Sequence, residues 1–287
     1  MDKSNAKNII LDKIERLPSL PDIVTKVLSL VEDEGSSIRE VGDMISRDQA
    51  ISSQLLKVVN SSYYGLKEKV STIQHATVIV GLQEVKSLVL AIAAFQTLHE
   101  TKSQTSLSRK GLWRHSLKCS LVGHTIGQKV GGVNPETTLT ASLLHDIGKL
   151  VLDCFFPAEY EGVLENVRTK GISMVTAEEA VLGFNHAETG GWLCEGWNFP
   201  STLVFPIFFH HRVGEASEEH IRMTSIVHLA DILSRHQEHG NRDDRHLRTI
   251  QPAAQKNLKL HSDDLDKIVE DLTQEEEKIQ SDIGPIN

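Results

Sequence analysis

The sequence predicts an all-α protein built from helical bundles. Only 5% of the 287 residues are aromatic, whereas strands favour aromatic and β-branched side chains. Apolar residues recur at helical spacing along most of the chain, and helix-capping patterns separate the apolar segments. A net charge of −9 without a basic stripe argues against a nucleic-acid partner. The longest apolar run, 88–95, is too short to cross a membrane, so no membrane partner is expected.

Residues 1–105 are predicted to form an N-terminal helical subdomain. A capping box at Ser37–Glu40 opens a short helix, and similar patterns at 46–49 and 71–74 open the next two helices. The helix that follows, over 82–98, is apolar on almost every side and is therefore expected to be central. A polar stretch then provides the predicted linker to the second half.

Residues 106–250 are predicted to form a second helical subdomain, and 251–287 an acidic tail with a helix over 262–279. Asn134 and Pro135 are typical of a helix start and open one helix that should run to about Phe155. The other predicted helices cover 112–129, 160–168, 176–184 (opened by a Thr176–Glu179 box), 186–197, 201–211 and 222–235.

The buried segment 139–152 carries unexpected polar side chains. His145, Asp146 and Lys149 lie among apolar residues, where an ionised group is costly unless it is paired or bound. Gly148 removes a side chain beside Lys149, so that backbone or ligand can come close. A single His–Asp dipeptide is more often a satisfied pair at a helix end, and further histidines are needed to favour a metal site.

The remaining histidines of the second half favour a metal site. Seven side chains lie in or at the end of predicted helices beside apolar residues: His115, His145, Asp146, His186, His210, His211 and Asp231. Bundles build metal sites by projecting ligands inward from facing helices. Imidazoles mixed with carboxylates suit transition metals, with iron or manganese preferred and zinc or nickel as alternatives. The alternative is a helical protein whose histidines are packed and metal-free.

Several histidines are not expected to be ligands. His124 is nine positions after His115 and faces the opposite side of its helix. His228 either orients Asp231 or is an ordinary packed histidine. The others lie in polar contexts and are predicted to be at the surface: His75, His99, His220, His236, His239, His246 and His261.

The pattern of His115, His145-Asp146 and Asp231 resembles the H…HD…D signature of the HD superfamily of metal-dependent phosphohydrolases, and 145–149 is its HDIGK form. By this resemblance, one metal ion is held by His115, His145, Asp146 and Asp231. Asp146 would bridge to a second ion held by His186, His210 and His211. Asp146 and Lys149 are thus the expected catalytic residues, with Lys149 matching a lysine that meets a substrate phosphate.

The first half resembles the HDOD (HD-related output) domain of bacterial signalling proteins. The similarity lies in LPSLP at 17–21, in the 48–60 helix leading into NSSYYG, and in the 73–81 segment leading into Leu82. It covers about residues 8–235. HDOD proteins resemble the HD-GYP phosphodiesterases in fold, but most have lost some metal ligands and are regarded as regulatory. This sequence keeps all the expected ligands, yet Arg-Val-Gly-Glu follows His211 in place of a Gly-Tyr-Pro loop.

The resemblance implies a bacterial regulatory protein with an HD-type, dinuclear metal site and with signalling proteins as partners. The alternative is a metal-dependent phosphohydrolase acting on a nucleotide or another phosphodiester. In that case two ions bridged by Asp146 would lower the pKa of a shared water, and Lys149 would add positive charge. The three cysteines lack a CxxC spacing and the N-terminus lacks an apolar signal sequence, which predicts a cytoplasmic location.

Overall fold

A computed structural model describes residues 37–60, 64, 66, 68–99, 105–238 and 250–260, with single positions 12, 23, 24, 26, 27, 264 and 267. Within these residues all regular secondary structure is helical, and the predicted all-α class is confirmed. The LPSLP motif, most of NSSYYG, and all but two positions of the predicted tail helix over 262–279 lie outside the described residues.

The chain divides into two compact units, and the described residues from 37 to 96 belong to the first of them. Its helices are α1 (Ile38–Ile45), α2 (Gln49–Val59), α3 (Ile73–Val80) and α4 (Leu82–His99), of which α4 continues past the boundary. α3 packs on both α1 and α2. The apolar helix that was predicted to be central, α4, is buried along most of its length.

The caps of these helices agree only in part with the predicted boxes. The Ser37–Glu40 box is present at the start of α1. The predicted box at 46–49 is wrong, because Ser46 instead donates to the carbonyl of Gly42 and the Asp48 carboxylate caps α2. α3 is likewise capped one residue later than expected, by Thr72. In each helix the capping residue is the short polar side chain that lies next to the first free N–H groups. The sequence pattern placed this residue one or two positions too early in α2 and α3.

The second unit contains the described residues from 97 to 259. Its elements are α5 (Arg109–Val130), α6 (Pro135–Leu144), α7 (Gly148–Phe155), α8 (Pro157–Lys170), α9 (Met174–Leu182), α10 (His186–Gly196), α11 (Ser201–Phe209), a 3₁₀ turn (Val213–Glu215), α12 (Ile221–Glu238) and α13 (Pro252–Leu258). α5 packs on α6 and α12, while α10 packs on α7 and α11. These two helix groups enclose the buried histidines.

The helix predicted to run from 134 to about 155 is interrupted, so that prediction is wrong. α6 ends at Leu144 and α7 begins at Gly148, with a tight turn between them in which Ile147 N–H donates to Leu144 O at 2.9 Å. A β-carbon at Gly148 would overlap the carbonyl oxygen of His186, because α7 starts directly against the backbone of α10. The close backbone approach expected at Gly148 is therefore present, and it accompanies the break that places residues 145–147 in a turn.

Among the described residues, no single helix is both long and apolar enough to cross a membrane. The segments Ile73–Val80 and Leu82–Leu98 pass a test of length and composition only when they are combined, and they are bent relative to each other by 119°.

Candidate metal centre

The seven predicted ligand side chains converge in the second unit. They come from five places in the fold: His115 from α5, His145 and Asp146 from the turn before α7, His186 from the first position of α10, His210 and His211 from the chain directly after α11, and Asp231 from α12. All are buried except His211, which is half-buried. The fold therefore brings together residues that lie far apart in the sequence.

These side chains form two groups that could each hold a metal ion. The first group consists of His115, His145, Asp146 and Asp231. The second group consists of Asp146, His186, His210 and His211. Within each group, one ligand atom from every member lies within 4.8 Å of the others, and Asp146 belongs to both.

The two carboxylate oxygens of Asp146 face different groups. Its Oδ2 lies 3.3 Å from Nε2 of His145 and 3.7 Å from Nε2 of His115. Its Oδ1 lies 3.0 Å from Nε2 of His186 and 3.9 Å from Nε2 of His210. One side chain at a turn between two helices thus presents an acceptor to each group.

Hydrogen bonds to the far side of two imidazoles set their orientation. Nδ1 of His145 donates to the carbonyl of Ser142, and Nδ1 of His210 donates to the carbonyl of Ile207, both at 2.7 Å. Since a carbonyl can only accept, Nδ1 carries the proton and Nε2 is left to face the centre. Such partners fix the tautomer of metal-binding histidines.

Glu178 orients the third imidazole and was missed in the sequence. Its Oε2 lies 2.6 Å from Nδ1 of His186 and also accepts the backbone N–H of His186 at 2.9 Å. The predicted Thr176–Glu179 box is wrong, since Ser173 caps α9, and this misplaced start made Glu178 look like an ordinary first-turn acid. Its sequence context, directly before a second acid and eight positions before a histidine, gives no distinct signal.

Two cations accompany the carboxylates. Lys149 Nζ donates to Asp146 Oδ2 at 2.5 Å, and Arg235 Nη2 lies 2.8 Å from Asp231 Oδ1, which is also 3.0 Å from His115 Nε2. Burial opposes ionisation, but the charges of His145 and Lys149 hold the pKa of Asp146 well below its usual range. Burial is likewise outweighed at Asp231, where the charge of Arg235 keeps the pKa of the carboxyl well below normal. Both carboxylates are therefore ionised at neutral pH.

The imidazoles differ in their affinity for protons. Burial, followed by the charges of neighbouring histidines, holds the pKa of His210 and of His211 well below the usual value. Burial also opposes the protonation of His145, but the carboxylate of Asp146 outweighs it and raises the pKa of His145 well above normal. His210 and His211 of the second group are thus neutral, while a ligand at His145 would displace a proton. At His186, burial is outweighed by the charge of Glu178, which raises the pKa of the imidazole.

The residues present fit a transition metal. Three deeply buried atoms of the two groups form no hydrogen bond of acceptable geometry among the described residues, although each has another candidate ligand atom within 4 Å: Nε2 of His145, Nε2 of His210 and Oδ1 of Asp146. Such atoms are costly unless they bind something, and all three point into the shared centre. Imidazole nitrogens combined with carboxylate oxygens are the donor set of iron, manganese, zinc or nickel sites.

The other described histidines lie outside both groups. His124, expected on the opposite face of α5, is half-buried and belongs to neither group. His228 does not orient Asp231 by a hydrogen bond of its own; its Nδ1 donates to the carbonyl of His210 at 2.7 Å. His75 is exposed as predicted. The surface prediction for His220 is wrong, because its ring stacks on Phe205 and its polar sequence neighbours hide that contact.

Three side chains at the centre retain some exposure to solvent. His115 and Lys149 are 7% and 8% exposed, and the side chain of Arg235 is 31% exposed. His145, Asp146 and His186 are completely buried. A ligand from solvent would therefore meet the positively charged side chains before it reached the innermost ligand atoms.

Fold and site together define an all-helical protein with a histidine–aspartate cluster that could bind metal. The family model of the HDOD domain matches residues 17–213. The chain belongs to the HDOD domain family. Asp231, which completes the first group, lies beyond the matched residues.

Solved structures share the fold. A Geobacter sulfurreducens HDOD domain protein of unknown function superposes with a TM-score of 0.79 over 97% of each chain, at 24% identity. A Shewanella amazonensis protein named as a candidate phosphohydrolase has a TM-score of 0.73 over 92% of this chain and 93% of its own, also at 24% identity. These likenesses establish the fold alone.

Curated relatives are longer proteins. An uncharacterized protein of Treponema pallidum is 26% identical over 227 residues, which is 79% of this chain and 44% of the relative. The uncharacterized protein YuxH of Bacillus subtilis is 32% identical over 97 residues, which is 34% of this chain and 20% of the relative. The chain thus spans less than half the length of either relative.

Proposed function

We propose that the second unit carries a dinuclear transition-metal centre that hydrolyses a phosphoester. The observation that carries this proposal is the division of one buried carboxylate between two ligand groups, with Oδ1 and Oδ2 of Asp146 facing opposite sides. Iron or manganese are the preferred ions, with zinc or nickel as alternatives. When bound, two such ions supply charge stabilisation for a phosphoryl group and lower the pKa of water at the site.

The protein side chains prepare this chemistry. Asp146 remains ionised and joins the two groups, while Glu178 and backbone carbonyls keep Nε2 of three imidazoles aimed inward. Because these partners are fixed before a ligand arrives, little reorganisation is needed when charge develops.

Lys149 is the proposed contact for the substrate. Its ammonium lies beside Asp146 Oδ2 at the partly exposed side of the centre, where it could also meet the oxygens of a phosphoryl group. A cation that meets negative charge as it develops on these oxygens stabilises the transition state. A nucleotide or another phosphodiester is the proposed substrate class. The segment after His211 lacks a Gly-Tyr-Pro loop, which disfavours cyclic di-GMP.

The first test is the metal content of protein purified without added metal or chelator, measured by elemental mass spectrometry. About two equivalents of a transition metal are expected if each ligand group takes one ion. Hydrolysis of a generic phosphodiester and of a cyclic dinucleotide panel would then be measured. A protein that contains no metal and takes up none on addition would overturn the proposal.

Lys149→Met separates catalysis from metal binding. Turnover should fall by roughly 100-fold or more because one electrostatic contact to the transition state is lost. Metal content should remain unchanged, since Lys149 is in neither ligand group. Lys110→Met, at an exposed position of α5, is the matched control and should alter neither quantity. Equal turnover in the two variants would remove Lys149 from the mechanism.

A regulatory module is the second candidate function. It is favoured by the longer relatives, of which the matched region is only one part, as in proteins that join an output domain to other domains. In that case the centre would serve as a structural or ligand-binding site, and signalling proteins would be the partners. Bound metal without turnover of any phosphoester tested would favour this function over hydrolysis.

A further inference from the structure

We infer that His228 and Gln251 are positioning residues for the second ligand group. Neither lies within the residues matched by the family model, and Gln251 lies in a polar stretch of the sequence. The inference rests on the proposed metal centre and extends it to the segment 250–260. It is based on three hydrogen bonds to the chain directly after α11 and on a fourth that joins the two positioning residues.

The first observation concerns the backbone that carries the two adjacent histidines. Carbonyl groups at the end of a helix have no partner within that helix and need one elsewhere. His228 Nδ1 donates to the carbonyl of His210 at 2.7 Å, and Gln251 Nε2 donates to the carbonyl of His211 at 2.5 Å. Gln251 Oε1 accepts the N–H of Val213 at 2.9 Å. Three backbone groups within four residues are thus satisfied by two side chains.

The two positioning residues are also joined to each other. The backbone N–H of Gln251 donates to Nε2 of His228 at 3.0 Å. His228 therefore accepts on one nitrogen and donates from the other, which fixes both its tautomer and its ring plane. It is 4% exposed, so water competes little for either bond.

The side chain of Gln251 bonds to the backbone of His211 and Val213 and not to its own helix. Gln251 is the N-cap residue of α13, but its side chain makes no capping bond. Its amide uses a donor and an acceptor at once, which a carboxylate or a hydrocarbon of the same length cannot do. Buried Ile250, Ala254 and Leu258 anchor the segment, so the amide is held in place.

The geometry predicts that loss of these hydrogen bonds weakens metal binding at the second ligand group only. The rings of His210 and His211 belong to the second group, and their backbone is held by His228 and Gln251. The first group depends on α5, α12 and the turn before α7. Loss of the partners that orient ligands costs about 10–100-fold in metal affinity. That loss should therefore fall on one of two bound ions.

The test compares Gln251→Met and Gln251→Ala with the full-length wild type. Met keeps the length of the side chain without its hydrogen bonds, and it also guards against a simple folding failure in the Ala variant. Gln255→Ala, at an exposed position of the same helix, is the matched control. Chelated proteins are titrated with Co²⁺, whose visible absorption follows each equivalent, and with Mn²⁺ in competition.

The expected result is a loss of about 10–100-fold in affinity for one equivalent in both Gln251 variants and no change in Gln255→Ala. Two equivalents bound with wild-type affinity, or two weakened alike, would overturn the inference while leaving the proposed metal centre intact. A lower melting temperature of the metal-free variants with unchanged metal affinity would likewise overturn it, because that is a purely structural role. A wild type that binds no metal would overturn the proposed function and, with it, the inference.

Discussion

Replacement of Asp146 by alanine should remove both metal ions and also destabilise the metal-free protein. Both groups lose their shared carboxylate, so the affinity for each ion should fall by more than about 100-fold, beyond the loss typical for an orienting partner. In chelated protein, the ammonium of Lys149, which is 8% exposed, would lose a carboxylate at 2.5 Å. Breaking a buried ion pair from one side costs about 3–5 kcal/mol.

That cost corresponds to a fall of roughly 6–20 °C in melting temperature, at about 2–4 °C per kcal/mol for a domain of this size. Calorimetry of chelated protein measures the fall, and elemental mass spectrometry measures the metal. The double variant Asp146→Ala/Lys149→Met removes the unpaired charge as well. It should recover most of the stability but none of the metal.

His124→Ala is the control for the metal measurement, because His124 is a half-buried histidine of α5 outside both groups. Its metal content should equal that of the wild type. Undiminished metal in Asp146→Ala would refute the assignment of Asp146 to both groups. A double variant that stayed as unstable as Asp146→Ala would refute the account of the stability loss.

Three further predictions follow from the centre. Glu178→Gln should lower the affinity for one equivalent of metal by about 10–100-fold, because the carboxylate on Nδ1 of His186 is lost. Competitive titration measures this affinity, and an equal effect on both ions would contradict the prediction. Metal affinity should rise from about pH 6 to about pH 8, since the raised pKa of His145 means that a proton must leave before Nε2 binds metal. An affinity that fell over this range would contradict the prediction. Gly148→Ala should lower the free energy of unfolding by about 1–3 kcal/mol in urea titrations, because the added carbon overlaps the backbone of α10. An unchanged urea midpoint would show that α7 and α10 can separate at no cost in stability.

The candidate ligands could be predicted because an unpaired polar or charged side chain has a high free-energy cost at a buried, apolar position. An imidazole or carboxylate within an apolar helical pattern needs a partner, and this argument selects Asp231 and His145 without any knowledge of their spatial neighbours. The all-helical class followed from helical periodicity, capping patterns and the low aromatic content, and the structure confirms it.

What could not be predicted depends on contacts between distant segments. The break before α7 accompanies the approach of Gly148 to α10, and helical periodicity continues through it in the sequence. Glu178 resembles an ordinary acid of a first helical turn, and Gln251 lies in a polar stretch that offers no periodic signal. The burial of His220 could not be predicted for the same reason, since the ring that it stacks on is Phe205 of α11. Local pattern carries no information about such pairings.

The two ends of the first ligand group lie far apart along the chain. His115 and Asp231 are separated by 116 positions, and α6 to α11 all lie between them. An ion held there would be bound by the folded chain and not by the unfolded chain, so it would stabilise the fold by mass action, by about 2.7 kcal/mol at a free concentration 100 times its dissociation constant. Chelation would thus do more than empty a site. It would withdraw this stabilisation from a segment of six helices, so metal supply would help to set how long the protein resists proteolysis.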